Sequence, residues 1–264
     1  MNNFNKNSHI KILGSDGGKN ENMELTSIQV TDDTIIDAGN IINGMGKDIL
    51  KINHIFITHT HLDHILDIGL LIDTTFQQRE TPLHIYGSKG TILNLKKYIF
   101  NWDIWPDFST IDLLNSTQKA LKFIELSIGD EIELDYCKVK AIENNHTNTS
   151  NGYIVTKAKS SILLTSDTYL CNSIWDELNT NKQISSVVVD VSFPSSMDIL
   201  AAQSKHLTPK LLQNELTKLQ RDDVSVYISH IKPGSYTQVS DEIENLNLLK
   251  NKGKILKMED IIQF

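Results

Sequence analysis

The stretch His59-Thr60-His61-Leu62-Asp63-His64 places three imidazoles and one carboxylate within six residues. Neutral imidazole nitrogens and carboxylate oxygens are ligands that suit zinc and related divalent ions. The stretch lacks cysteine, which argues against an iron–sulfur cluster or a cysteine-rich structural zinc site. A polar loop with surface histidines is the alternative, but it does not explain so dense a cluster. The stretch therefore predicts a hydrolytic metal site.

The residues on either side of this cluster predict its place in the fold. Residues 54–58, His-Ile-Phe-Ile-Thr, are apolar and β-branched, as in a buried strand. After the cluster, apolar side chains recur at the three- and four-residue spacing of one helix face. The cluster is therefore predicted on a strand-to-helix turn, where one loop can aim its first two histidines at one metal and its Asp–His pair at another.

Three further potential ligands follow strand-like segments. Asp167 and His230 come directly after apolar runs, and His146 follows one through a polar stretch. Rigid sheets position reactive groups at strand ends, so the four segments could converge. Taken singly, Asp167 is better explained as a turn or helix cap, and each histidine as a loop residue. Their shared placement favours ligands.

The chain resembles the metallo-β-lactamase superfamily, whose His-x-His-x-Asp-His motif the six-residue cluster matches. Residues 12–18, Ile-Leu-Gly-Ser-Asp-Gly-Gly, look like the opening strand and glycine turn. Residues 34–39, Thr-Ile-Ile-Asp-Ala-Gly, look like the second hairpin. Within the superfamily the chain is most similar to the class II cyclic-nucleotide phosphodiesterases, and four segments carry that likeness: His61-Leu62-Asp63-His64, Ile104-Trp105-Pro106-Asp107-Phe108, Ser204-Lys205-His206-Leu207-Thr208-Pro209 and Ser229-His230-Ile231-Lys232-Pro233.

The resemblance and the order of predicted elements imply an α/β protein, an αββα sandwich of two mixed β-sheets flanked by helices (the metallo-β-lactamase fold). We expect residues 1–264 to form a single metallo-hydrolase domain, because no Pro/Ser-rich or like-charged linker divides the chain. Residues 96–125 are expected to form a lid or insertion.

The resemblance also implies two divalent metal ions, most readily zinc, with manganese or iron as alternatives. A water shared between them would be deprotonated to the hydroxide nucleophile. By position in the family motifs, the first ion would be held by His59, His61 and His146, the second by Asp63, His64 and His230, with Asp167 bridging both.

His206 resembles the non-ligand histidine of the family's His-Leu-Thr-Pro stretch. We expect it to be the catalytic acid that protonates the O3′ leaving group of a 3′,5′-cyclic nucleotide, because imidazole suits proton donation near pH 7. Its structural alternative is a helix-start residue, since Thr208-Pro209 reads as an N-cap followed by a first-turn proline. The two roles are compatible.

Other residues near these motifs have open interpretations. Asp37 and Asp190 each end an apolar run and could orient ligand histidines or simply form turns. Asp67 departs from the family pattern close to the metal motif and could alter the pocket wall. The aromatic residues Trp102, Trp105 and Phe108 could stack on a purine, although a satellite core is the commoner use of such a group.

Composition restricts the binding partners and the location that we expect for this protein. A formal net charge of −8 argues against a surface for polymeric nucleic acid but leaves a small anionic nucleotide substrate, because two metal ions would reverse the local field. No apolar run approaches a membrane span, and no secretory signal is seen. We expect a cytoplasmic protein, or a periplasmic one if a leader has been removed. A homodimer is left open, and Cys137 and Cys171 are expected to be free thiols.

Three kinds of competing function are compatible with the same fold. A thioesterase, a lactamase or a general phosphodiesterase could use the same scaffold, although the segments around Trp105 and His206 argue against acyl substrates. A tRNA 3′-processing nuclease should carry a basic RNA-clamping arm, which the sequence does not reveal. A non-catalytic cyclic-nucleotide binder should lack metal ligands, and all seven are present.

Overall fold

The computed structural model describes residues 4–5, 7–249 and 253–264. Its strands are β1 His9–Gly14, β2 Ser27–Gln29, β3 Thr34–Ile36, β4 His54–Phe56, β5 Leu83–Ser88, β6 Leu121–Leu126, β7 Glu131–Glu133, β8 Lys138–Glu143, β9 Asn151–Lys157, β10 Ser160–Leu164, β11 Ile184–Asp190, β12 Ser225–Ser229 and β13 Ile261–Gln263. Its α-helices are α1 Ile41–Met45, α2 Leu62–Ile65, α3 Ile68–Thr75, α4 Lys89–Tyr98, α5 Asn172–Thr180, α6 Asp198–Ser204, α7 Pro209–Leu216 and α8 Tyr236–Asn245.

The strands form two mixed sheets. The first has the order β13-β1-β2-β3-β4-β5-β6, antiparallel from β13 to β3 and parallel from β3 to β6. The second has the order β12-β11-β10-β9-β8-β7, parallel from β12 to β10 and antiparallel beyond. The parallel strands of each half end near one another, which is what gathers polar groups from four segments at a single edge.

Side-chain alternation along the strands builds the layers. In β3 and β4, Ile35 and Ile55 pack outward beneath α1, α3 and α4, whereas Ile36 and Phe56 pack inward against the second sheet. The outer face of the second sheet packs against α5, α7 and α8. Strands covered on both faces are apolar throughout because neither face meets water. The predicted αββα sandwich is confirmed.

Several elements differ from the sequence-based prediction. Apolar patterning in the sequence predicts strand-like segments near residues 26–37 and 131–142 and a helix over 64–77. In the structure the first two are hairpins, β2–β3 and β7–β8, and the helix is divided into α2 and α3. The segment 96–125 is not independent of the first half: Phe100 and Phe108 are buried in the core beside the first sheet, and its last residues begin β6. Its role as a lid stays a prediction.

Candidate metal centre and active site

The turn between β4 and α2 carries the six-residue histidine cluster. It can close tightly because a Cβ at Gly39 would overlap the carbonyl oxygen of Asp63, so only glycine allows this approach. The neighbouring Asp37 adopts a left-handed backbone conformation (φ 57°), as do Ser166 and His230 at the ends of other strands. Unusual backbone angles of non-glycine residues therefore gather around one place, as is common at functional sites.

The first group of potential metal ligands is brought together at this edge. Single ligand atoms of His59, His61, His146 and Asp167 all lie within 4.8 Å of one another. His146 Nε2 is 3.2 Å from His61 Nδ1. Asp167 Oδ2 is 3.6 Å from His59 Nε2 and 3.7 Å from His146 Nε2. These are the residues that the sequence predicted for the first ion.

The second group consists of Asp63, His64 and His230, again with ligand atoms within 4.8 Å. His64 Nε2 faces His230 Nε2 at 3.3 Å, and His230 Nε2 is 3.4 Å from Asp63 Oδ2. Asp167 Oδ1 lies 3.3 Å from His64 Nε2 and 3.2 Å from His230 Nε2. Asp167 therefore directs one carboxylate oxygen at each group.

The residues present fit a bound cation. Among the described residues, the buried His59 Nε2 and Asp167 Oδ2 have no hydrogen-bond partner. Unpaired buried polar atoms are costly, and a cation between them would satisfy both. The facing nitrogens of His64 and His230 likewise need a proton or a metal between them. The donor set of imidazoles and carboxylates suits divalent ions.

Electrostatics favour the ligand forms of some of these groups. Burial lowers the pKa of His59 well below its usual range, which keeps its imidazole neutral. Burial raises the pKa of Asp167, but the facing His230 and His64 outweigh it and hold that pKa well below its usual range. Burial lowers the pKa of His230, but the carboxylates of Asp167, Asp190 and Asp63 outweigh burial and raise this pKa to about 9. A metal binding at the second group must therefore displace a proton.

Asp37 orients one of the potential ligands. Its Oδ2 accepts a hydrogen bond from His64 Nδ1 at 2.7 Å, which leaves Nε2 directed at the metal site. Thr58 holds the carboxylate in turn, through its backbone N–H at 2.9 Å and its hydroxyl at 2.8 Å. Such carboxylate–histidine pairs fix the tautomer and the ring orientation.

Asp190 plays the corresponding part on the other side, where its Oδ2 accepts from His206 Nδ1 at 2.7 Å. Ser192 joins the two sides: its hydroxyl donates to Asp190 Oδ1 at 2.7 Å and lies 3.0 Å from His230 Nδ1. One hydroxyl therefore connects the predicted catalytic acid with a predicted metal ligand. The ring centroids of His206 and His230 are 5.3 Å apart.

The surroundings of His206 leave two chemical roles open. Ligand atoms of Asp167, Asp190, His206 and His230 also lie within 4.8 Å of one another, so His206 could bind a metal. Its Nδ1 is already engaged by Asp190, and Nε2 on the opposite edge of the ring is the atom left for proton transfer or for a ligand bond. The role of His206 as the catalytic acid stays a prediction.

Other residues singled out in the sequence lie outside this network. Asp67 Oδ2 accepts from the backbone N–H of Ile42 at 2.8 Å, so it satisfies the start of α1. Phe108 is buried in the core beside the first sheet and Trp105 packs on it, so they belong to that core and not to a separate satellite core, while Trp102 is 62% exposed. Cys137 and Cys171 are free thiols.

Four parts of the site were not predicted from the sequence. Two of them are hydroxyl groups: Thr58 precedes His59, whose Nδ1 lies 3.1 Å from its hydroxyl, and Ser192 lies two residues after Asp190, to which it donates. Lys232 belongs to the Ser-His-Ile-Lys-Pro motif, but the motif gives no sign that its Nζ lies 3.4 Å from Asp63 Oδ2. The carbonyl oxygen of Lys205, which lies 3.0 Å from His146 Nδ1, could not be foreseen because backbone groups carry no sequence signal.

The fold and the two histidine–aspartate groups define a metal-dependent hydrolase of the metallo-β-lactamase fold. A metallo-β-lactamase fold protein from Bacillus subtilis, YhfI, matches with a TM-score of 0.74 and 16% identity, over 97% of this chain and 99% of that one. Unliganded PDE1 of yeast matches with a TM-score of 0.78 and 19% identity, over 97% and 99% of the two chains.

The sequence identifies the family. The family model described as class II cAMP phosphodiesterases matches residues 26–260, and the chain belongs to that family. A probable 3′,5′-cyclic-nucleotide phosphodiesterase of Yersinia pestis is 26% identical over 290 residues, covering 88% of this chain and 80% of its relative. The predicted enzyme class is thereby confirmed.

None of the helices in the described ranges is long and apolar enough to cross a membrane.

Proposed function

We propose that this enzyme hydrolyses 3′,5′-cyclic nucleotides, cyclic AMP or cyclic GMP, to 5′-monophosphates, with two zinc ions bound. The observation that carries this proposal is the position of Asp167, whose two oxygens face two separate histidine groups. When bound, two divalent ions lower the pKa of water toward neutrality and neutralise phosphoryl oxygens. His59, His61 and His146 would hold one ion and Asp63, His64 and His230 the other.

The chain's own residues supply the proton for the leaving group. An alkoxide such as O3′ leaves poorly unless it is protonated as the P–O3′ bond breaks. His206 would donate that proton from Nε2, and Asp190 would stabilise the imidazolium through Nδ1 at 2.7 Å. Asp37 and Ser192 would meanwhile hold His64 and His230 in fixed tautomers.

The test is a hydrolysis screen of the metal-loaded protein against cyclic AMP, cyclic GMP, an aryl phosphodiester, a thioester and a β-lactam. We expect turnover of the cyclic nucleotides with the 5′-monophosphate as product. Preferential cleavage of the thioester or the lactam would overturn the proposed substrate class, and a 3′-monophosphate would mean that the substrate binds in the opposite orientation.

Elemental analysis of the same preparation tests the metal, with two zinc ions per chain expected because imidazole-rich sites suit zinc. Two manganese or iron ions would replace zinc in the proposal without changing the ligand set. One ion per chain would contradict the dinuclear site. The homodimer and the cytoplasmic location stay predictions, and size-exclusion chromatography checks the first.

A further inference from the structure

The metal centre has a buried side and an open side. Asp167 and four of the histidines, His59, His64, His146 and His230, are buried, whereas His61 is exposed. The Asp63 side chain is 19% exposed and that of Lys232 is 25% exposed. A substrate must therefore approach from the side formed by His61, Asp63 and Lys232.

Lys232 brings a positive charge to this open side. Its Nζ donates to Asp63 Oδ2 at 3.4 Å. Within the described part of the chain, this is the hydrogen bond that its ammonium group makes. An ammonium group carries three donors, and one long contact leaves most of this capacity unused. Its charge therefore faces Asp63, a ligand of the second group, at the open side of the site.

The backbone of Lys232 is held in place by hydrogen bonds on both sides of the residue. The Lys232 N–H donates to the carbonyl oxygen of Ser192 at 3.0 Å, and its own carbonyl accepts from Ser235 at 3.0 Å. The preceding carbonyl, of Ile231, accepts from Gly17 at 3.1 Å. The ammonium group is thus delivered to a defined place by an anchored loop, as a substrate-binding group requires.

Asp63 does not need Lys232 as its permanent partner. Asp63 Oδ2 is also 3.4 Å from His230 Nε2, within the group that would hold the second ion. A cation in that group would engage the same carboxylate oxygen and compensate its charge. The ammonium group would then stand at the open side with donors available for an anion.

We propose that Lys232 binds a phosphoryl oxygen of the substrate and stabilises the charge that the phosphoryl group gains during hydrolysis. This inference rests on the proposed function. The cyclic diester carries one negative charge, and the reaction adds water: an O–P bond forms, the P–O3′ bond breaks, O3′ receives a proton, and the monophosphate dianion and one released proton result. A fixed cation therefore interacts more strongly with the transition state and product than with the substrate.

The experiment measures binding and turnover separately. For Lys232→Met, which keeps the length of the side chain without its charge, we expect two metals per chain to be retained. Calorimetric titration should show affinity for inorganic phosphate and 5′-AMP falling about 10- to 100-fold. We expect kcat for cyclic AMP to fall by a similar factor, and Lys232→Arg to keep most of the phosphate affinity.

A matched control is Lys138→Met, because Lys138 begins β8, at the end opposite the one that leads to His146, and forms an exposed ion pair with Glu133. It should bind phosphate as the parent does. Unchanged phosphate affinity in Lys232→Met, or loss of metal from it, would show that Lys232 only neutralises Asp63 and would overturn the inference.

Failure of the proposed function is distinguishable from failure of the inference. If the parent protein hydrolyses no cyclic nucleotide, the proposed function fails, yet phosphate titration still compares Lys232→Met with the parent. A parent that binds no phosphate would overturn the Lys232 inference whatever its turnover.

Discussion

Asp190 Oδ2 accepts a hydrogen bond from His206 Nδ1 at 2.7 Å, and both side chains are buried. The pairing selects the His206 tautomer that carries its proton on Nδ1 and fixes the orientation of the ring, as a carboxylate does for a neighbouring imidazole. It also directs Nε2 away from Asp190. The orientation of His206 therefore depends on a residue 16 positions earlier in the chain.

Replacing Asp190 by Asn should disable His206 without removing it. Asn carries no charge to compensate an imidazolium, and an amide NH2 facing Nδ1 opposes the Nδ1–H, so the doubly protonated ring that would donate from Nε2 is disfavoured. We expect kcat for cyclic AMP to fall about 10²- to 10⁴-fold, while two metals remain bound. Steady-state kinetics and elemental analysis test this, and near-normal kcat would show that the pair is only structural.

His206→Ala separates the catalytic acid from a metal ligand. On a cyclic nucleotide, whose alkoxide leaves poorly, we expect turnover to fall about 10²- to 10⁴-fold. On an aryl phosphodiester the loss should be much smaller, since a nitrophenolate leaves without a proton. The two substrates are compared in one variant, so folding defects cancel. Equal losses, or loss of a metal, would assign His206 to metal binding.

Asp63→Ala should remove a charged ligand of the second ion. Because Asp63 lies in the first turn of the short helix α2 and is partly exposed, the fold should survive. We expect metal content to fall from two ions per chain toward one and phosphodiester turnover to be lost. The control is Asp73→Ala, an exposed position on α3. Normal turnover in Asp63→Ala would refute the two-metal assignment.

Asp16 gives a pH-dependent effect on stability. Burial raises its pKa to about 6, above the unfolded value of ~3.9. The folded state therefore binds more protons between these values, and stability falls as the pH rises through this window. Asn cannot ionise, yet its amide oxygen can still accept the Glu24 N–H that Asp16 Oδ2 accepts at 2.9 Å.

We therefore expect Asp16→Asn to stabilise the protein, and the gain in free energy of unfolding to be about 1 kcal/mol larger at pH 8 than at pH 5, after allowance for partial exposure. Urea unfolding of parent and variant at both pH values measures it. A gain that is the same at both pH values would contradict the assigned pKa.

The local pattern was sufficient for the strongest predictions. The dense cluster at residues 59–64 indicated a metal site, because no structural use explains that density. Apolar spacing located the buried face of α3, where Ile68, Leu71 and Ile72 are buried. The strand ends leading to Asp167 and His230 were located by β-branched runs. These signals are local, so they can be read without knowing the fold.

Strands that are held mainly by pairing with another strand were harder to predict from the sequence. β6 is an edge strand with half-buried residues, and it is held by its parallel pairing with β5. β13 pairs with β1 across nearly the whole chain. Apolar content marked residues 26–37 and 131–142 as strand-like segments but did not show the chain reversals that divide them into β2–β3 and β7–β8.

The sequence by itself determined the class of chemistry: imidazoles and carboxylates at strand ends suit divalent metals and metal-dependent hydrolysis, and the family motifs indicated a phosphodiester substrate. Only the tertiary structure decided which atoms meet. Ser192 contacts His230, and Lys232 contacts Asp63 across 169 residues of sequence, because two sheets pack face to face and bring their strand ends to one edge. Hydrogen bonds require distances near 3 Å, and no local pattern specifies a distance between remote residues.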